Sequence, residues 1–116
     1  MTQYTHIDPA QCEYYSIGSE DDLPDGKRLF IEIDNIPIVI FRVGGQLYAI
    51  SDACSHDDGP LGDGDLEGTH IICPRHGARF DIVTGKALSL PAVVDILAYP
   101  VRVNNHQIEV GFPKTK

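Results

Sequence analysis

The sequence predicts an all-β protein built of antiparallel sheets, and three observations carry this. Apolar residues alternate, or run in short stretches, and do not recur at helical spacing. Turn-forming pairs such as Asp34-Asn35, Gly44-Gly45 and Thr84-Gly85 fall between those stretches. No segment with helical character reaches the length of an independent helix. The elements follow in order. Residues 11–17 form the first expected strand. Residues 27–33 and Ile36–Val43 flank the Asp34-Asn35 turn, and Gly44-Gly45 leads on into Gln46–Ser51, so these three runs predict a meander. His70–Ile72 is short and apolar and delivers Cys73; residues 78–83 follow, closed by Thr84-Gly85. Residues 97–103 and 107–110 pair across Asn104-Asn105. Pro37 and Pro100 cannot donate to a ladder, which points to strand starts or edges. Only residues 19–23 and 92–97 could hold a helical turn.

A chain of 116 residues suits one domain, spanning 1–116, around one modest core. No apolar run approaches the roughly 18 residues of a membrane helix. Met1-Thr2-Gln3-Tyr4-Thr5-His6 has no basic start and no apolar stretch, so no secretory signal is expected and the location is read as cytoplasmic. Three cysteines do not suit a disulfide framework. Cys12, far from the other two, is read as a buried thiol.

The net charge of -8 is unevenly placed. Residues 1–67 hold 14 acids and 3 bases; residues 68–116 hold 3 acids and 6 bases. No Lys or Arg falls between Arg42 and Arg75, a gap that contains Asp52, Asp57, Asp58, Asp63, Asp65 and Glu67. Nucleic acid is thereby disfavoured as a partner, because its phosphates need a basic patch. The distribution suits steering toward a basic protein, and equally a solvated acidic surface kept for solubility.

The acidic segment 51–68 has little periodicity, and long loops in compact domains are usually functional. This one begins with Cys54 and His56. After sixteen intervening residues come Cys73-Pro74-Arg75-His76. Two thiols and two imidazoles, as C-x-H and C-x-x-H, make a four-ligand metal site. Zinc accepts that donor set and gives a zinc-stabilised interaction domain as one reading. Zinc sites, however, usually pair Cys with Cys and His with His. Here each loop supplies one of each, and the second pair runs into Gly77-Ala78-Arg79-Phe80-Asp81, which reads as a strand. A [2Fe–2S] centre with two Cys on one iron and two His on the other needs that mixed order if two loops face each other.

Cys54-Ser55-His56, Cys73-Pro74-Arg75-His76-Gly77, Phe80-Asp81, Thr84-Gly85 and the late Tyr99-Pro100-Val101 resemble Rieske-type ferredoxins, over roughly residues 10–111. The resemblance implies a three-sheet Rieske fold with the cluster at the tip of two loops, within about residues 51–81. It implies Cys54 and Cys73 on one iron and His56 and His76 on the exposed one. It places Pro91 in a third loop covering the cluster, and gives Asp81 a structural hydrogen-bonding role. With two thiolates and two neutral imidazoles the oxidised centre is neutral, so His ligation raises the potential over that of an all-thiolate centre. Respiratory-complex members carry an extra cysteine in each ligand loop; Arg75 stands at that position here, and no cysteine follows His56 closely. Their Ser and Tyr hydroxyl donors are matched by Ala78 and Phe80, which donate nothing. A low potential within the family is expected.

The functional expectation is a soluble, monomeric ferredoxin with no catalytic residues of its own. It would pass single electrons from a flavin-containing NAD(P)H-dependent reductase to a terminal non-haem iron oxygenase of the aromatic-ring dioxygenase type. The second reading is a small Rieske-like subunit of an assimilatory nitrite reductase. His6, His70 and His106 form no two-His-one-carboxylate pattern for a mononuclear iron. His70 is read as a strand residue, and His6 and His106 as surface residues. Gly59 and Gly77 are read as places where the backbone turns sharply or comes close to the cluster.

Overall fold

The structure, a computed structural model, describes residues 7–55, 59–74, 77–90 and 94–113. Among these the strands are, in chain order, β1 (Cys12–Ser19), β2 (Arg28–Ile33), β3 (Ile36–Val43), β4 (Gln46–Ser51), β5 (Leu66–Glu67), β6 (His70–Ile72), β7 (Arg79–Asp81), β8 (Ala98–Tyr99), β9 (Val101–Asn104) and β10 (Gln107–Pro113). They form three antiparallel sheets, ordered β1-β10-β9, β2-β3-β4-β8 and β5-β6-β7.

Two-residue turns with both residues at positive φ build the hairpins. Asp34 and Asn35 (φ 56° and 65°) join β2 to β3, and Gly44 and Gly45 (59° and 82°) join β3 to β4. Turns of this hand match the twist of the strands they connect. The meander expected from the sequence is therefore present, extended by β8 along β4. The last hairpin differs by one residue. Asn104 pairs with Gln107 as strand, and the turn falls on Asn105 and His106, at φ 53° and 66°. Ile108 and Val110 are fully buried, and a slip of one residue would send both to solvent, so the core fixes the register.

The expected strand over 97–103 is broken at Pro100. Ala98 and Tyr99 pair with β4, whereas β9 pairs with β10, so Pro100 marks the crossing from one sheet to another. Its carbonyl still accepts a hydrogen bond from the Gly111 amide at 2.8 Å. Pro37 is the second residue of β3 and so sits at a strand start, though in a central strand. β1 and β10 run further than expected and pair with each other, with a register irregularity between Ser16 and Gly18. Glycines had hidden this pairing, because they carry no hydrophobic signal. A Cβ on Gly111 would come within 3.0 Å of the Tyr14 ring across the ladder. The helical turn expected over 19–23 is a short 3-10 turn, Glu20–Asp22, capped by Ser19 with Asp22 reciprocating. A second 3-10 turn, Pro9–Gln11, starts on an Asp8 cap. Residues 94–97 carry no helix, and residues 92 and 93 lie outside the described ones.

The core is two clusters divided by the four-stranded sheet. Ile38 and Ile40 face one cluster, with Ile33, Ala49, Tyr99, Ile108, Val110 and Phe112. Val39 and Phe41 face the other, with Ile50, Leu61, Ile71, Phe80 and both Cys54 and Cys73. Ile38, Val39, Ile40 and Phe41 all have no exposed surface, so β3 is buried on both faces. Each such side chain contributes about 1.5–3 kcal/mol of apolar burial. Cys12 is buried as expected, its thiol 3.5 Å from the Asp8 carbonyl oxygen.

Tyr99 stacks on Phe112 with ring centroids 5.7 Å apart, and its buried hydroxyl has no hydrogen-bond partner among the described residues. Burial pushes its pKa up to about 12. The folded state thus holds the proton where the unfolded chain releases it, near pH 10. Stability from this group is full below pH 10 and is lost as the pH rises toward 12. Tyr99→Phe is expected to add about 1–2 kcal/mol by removing an unsatisfied polar group. It should also flatten the alkaline loss of stability, both read by denaturant unfolding at pH 7 and between pH 10 and 12.

Candidate metal centre

The four-stranded sheet hands the chain to the three-stranded β5-β6-β7 sheet through the segment that begins at Asp52. Cys54 lies three residues past the end of β4, and Cys73 directly follows β6. Each cysteine amide donates to a carbonyl five residues on: Cys54 to Gly59 at 2.8 Å and Cys73 to Ala78 at 2.7 Å. The two loops are thus closed in the same way. Gly77 adds a bond from its amide to the Cys73 carbonyl at 3.0 Å, at φ 78°, and among the described residues no atom stands within 4 Å of where its Cβ would be. The left-handed backbone is what requires glycine at this turn.

Both thiols are shielded from water, at 0% and 1% exposure, inside one apolar cluster. Two soft sulfur donors in one water-excluded cluster suit a single thiolate-ligated metal centre. Ala78 and Phe80, fully buried, line the same cluster and bring no hydroxyl. The imidazoles of His56 and His76 lie outside the described residues, as do Arg75, Pro91, Asp57, Asp58 and His6. Among the described residues no three His, Cys, Asp or Glu side chains gather to hold a metal. His70 opens β6, opposite Asp81, as a half-buried strand residue. His106 is exposed at its turn, 3.1 Å from Glu20.

The Asp81-x-x-Thr84-Gly85 sequel is a hydrogen-bonded turn. The Asp81 carboxylate accepts from the Val83 amide at 2.8 Å and the Thr84 hydroxyl from the Lys86 amide at 3.2 Å. Gly85, at φ 82°, donates to the Asp81 carbonyl at 2.7 Å. The third loop is tied to both ligand loops. The Ser55 hydroxyl donates to the Val94 carbonyl, and the Arg79 amide donates to the Ser89 hydroxyl at 3.1 Å.

Sequence reasoning missed the inner wall of the site. The segment 51–68 is not structureless: it contains β5, and residues 61–64 turn inward. Leu61 is fully buried beside the two cysteines. Gly64 passes so close to the backbone of Ile72, the residue before Cys73, that a Cβ would overlap the Ile72 carbonyl oxygen. A Cβ on Gly62 would meet the Phe30 ring at 2.7 Å. Asp52, grouped by sequence with the acidic surface, is half-buried and accepts from the Leu61 and Gly62 amides at 2.9 and 2.5 Å. Asp63, Asp65 and Glu67 are exposed, and Glu67 pairs with Arg79 at 2.7 Å. Leu61 flanked by Gly62 and Gly64 was the available signal, since glycines beside a lone apolar residue mark close backbone approach.

An antiparallel β fold with two cysteines buried at the starts of two like loops suits a thiolate-ligated metal protein, and the comparisons with known proteins give its kind. Residues 13–100 match the Rieske [2Fe-2S] domain model. The ferredoxin component of the naphthalene 1,2-dioxygenase/salicylate 5-hydroxylase systems of a Ralstonia species is 40% identical over 88 residues, covering 76% of this chain and 85% of that protein. The 3-phenylpropionate/cinnamic acid dioxygenase ferredoxin subunit of Escherichia coli is 41% identical over 97 residues, covering 82% and 90%. Among solved structures, the ferredoxin of carbazole 1,9a-dioxygenase from Nocardioides aromaticivorans superposes with a TM-score of 0.79 at 33% identity, covering 87% of this chain and 98% of that one. A complex of reduced oxygenase and oxidized ferredoxin in carbazole 1,9a-dioxygenase gives 0.80 at 30% identity, covering 89% and 97%.

This chain belongs to the Rieske [2Fe-2S] domain family. It is a ferredoxin, an electron-transfer component and not a catalyst, with a Rieske-type [2Fe–2S] cluster as its cofactor. The zinc reading is thereby displaced.

Replacing Gly64 by Ala forces the Ile72 backbone, and with it Cys73, out of place. Gly64→Ala is expected to cost about 3 kcal/mol by overpacking against backbone. Denaturant unfolding and the iron content of the purified variant check this; Gly68→Ala, strained by its φ of 62° but with nothing against its Cβ, should lose some stability and still retain full iron content.

Proposed function

We propose that this ferredoxin carries single electrons from a flavin-containing, NAD(P)H-dependent reductase to a terminal non-haem iron oxygenase of the aromatic-ring dioxygenase type. Cys54 and Cys73 hold one iron of its cluster, His56 and His76 the other. The chain acts as a single-domain, cytoplasmic monomer. The observation that carries this reading is the pair of fully buried thiols, 0% and 1% exposed, at equivalent places in two loops closed alike. When bound, the cluster takes up and releases one electron at a time.

The surrounding described residues keep water from the thiols. Leu61, Ile71, Ala78 and Phe80 exclude solvent on the inner side. Around the third loop, Leu88, Leu90 and Val94 are exposed, Leu90 at 76%. Apolar side chains exposed together suit a protein contact. Val94 is tied to Ser55, next to His56 in sequence, so that contact would lie beside the ligand loop. The ferredoxin–oxygenase complex and the dioxygenase ferredoxins to which the chain is similar support the choice of partner. Among the described residues no helix is long and apolar enough to cross a membrane.

The buried wall of Ala78 and Phe80 gives the cluster sulfurs no hydroxyl donor, and fewer donors disfavour the reduced state. The expected midpoint lies at the low end of the roughly -150 to +300 mV Rieske span. A redox titration with a clearly positive midpoint would overturn this. The purified protein should be brown and bleach on dithionite. His56→Ala and His76→Ala should each abolish the Rieske electron paramagnetic resonance signal, and its retention in both would overturn the ligand assignment.

A further inference from the structure

Residues 61–64 touch the surroundings of both loops that begin at the cysteines. Toward Cys54, Leu61 packs in the same fully buried cluster, and the loop beginning at Cys54 closes at Gly59, two residues earlier. Toward Cys73, Gly64 lies against the Ile72 carbonyl, and the Ile72 amide donates to Asp65 at 2.9 Å. A spacer wedged between two loops can hold their separation only if it is itself held from behind.

Two side chains do this. Asp52 Oδ1 accepts from the Leu61 and Gly62 amides, and its own amide donates to the Pro37 carbonyl of β3 at 3.0 Å. Arg28 comes from β2. Its Nη1 donates to the Gly62 carbonyl and, at 2.8 Å, to the Gly64 carbonyl. Its guanidinium lies 5.0 Å from the centroid of the Phe41 ring of β3. The Leu61 and Gly62 amides and the Gly62 and Gly64 carbonyls are thus gripped by one anion and one cation, both anchored to the four-stranded sheet. Bonds from charged groups to backbone are roughly twice as strong as neutral ones. Groups behind metal ligands typically control metal retention by 10- to 100-fold.

We infer that Arg28 and Asp52 are positioning residues of the cluster: they clamp residues 61–64 as the spacer that sets the separation of the two ligand loops. The inference rests on Cys54 and Cys73 being ligands. The clamp acts through the backbone, so it should be read in the cluster's own properties.

The experiment uses the loaded protein. Arg28→Met and Asp52→Ala should lose iron to a chelator roughly 10-fold faster than wild type or more. Both should also shift or broaden the g values of the reduced protein and move its midpoint. Asp52→Asn keeps an oxygen able to accept the same two bonds and should restore wild-type retention and linewidth. Ile108→Val, in the other core cluster, should leave all three readouts unchanged, which separates positioning from general destabilisation. Wild-type g values, midpoint and chelator resistance in Arg28→Met and Asp52→Ala would overturn the inference, as would Asp52→Asn behaving like Asp52→Ala. If the two severe variants accumulate no cluster, Arg28→Lys is read in their place. An ammonium cannot reproduce the planar donor geometry, so faster iron loss is expected, and wild-type resistance overturns the role of Arg28. A Cys73→Ser variant with an unaltered spectrum would show separately that the ligand assignment had failed.

Discussion

Burial of β3 on both faces is the constraint on which the rest of the structure depends. Ile38 and Ile40 face one way and Val39 and Phe41 the other, and none is exposed. A strand of this kind needs a layer on each side. One side is covered by the β1-β10-β9 sheet, through Ile108, Val110 and Phe112. The other is covered by the β5-β6-β7 sheet and its loops, through Ile71, Phe80 and Leu61. The sheet that holds the ligand loops is therefore also one of the two lids of the core. Displacing it to fit the metal centre would uncover Val39 and Phe41, so centre and core are coupled in stability.

That coupling explains why so many backbone groups around the cysteines are tied down. Cys54 and Cys73 close their loops with matching bonds, Gly77 turns the second one, and the Asp81 and Thr84 side chains brace the exit. Glycine serves two different needs here. At Gly77 it allows a left-handed backbone; at Gly64 it allows two backbones to touch. The third loop is then fastened across both ligand loops by Ser55 and Ser89. Among the described residues, hydrogen-bonded backbone and apolar side chains surround the two cysteines, which suits a carrier whose geometry should change little between oxidation states.

Much of this was legible in the residues. The meander came from turn pairs and alternating apolar runs, both local properties. The two-loop arrangement came from C-x-H and C-x-x-H, because candidate ligands close in sequence must lie on one loop each; the burial of both thiols came from the structure. Other features were misplaced for identifiable reasons. The pairing of β1 with β10 joins distant segments and leaves no local trace. Pro100 read as a caution within one strand, whereas it separates two strands in different sheets. Asp52 looked like one of six acids in a basic-free gap, and only its bonds to Leu61 and Gly62 distinguish it from Asp63 and Asp65. Arg28 lies 26 residues before Cys54 in the sequence, and no spacing rule would have joined them.

By itself the sequence determined the all-β class, the two C-x-H and C-x-x-H segments and the absence of hydroxyls at Ala78 and Phe80, because these depend on residue identity and local pattern. The tertiary structure decided which strands pair across the chain. It also decided that the cysteine loops share a core with β3, and that an arginine of the base sheet and an aspartate just past its end grip the segment between them. Those choices rest on burying both faces of one strand at once, and a linear pattern does not say which distant residues will share that burial.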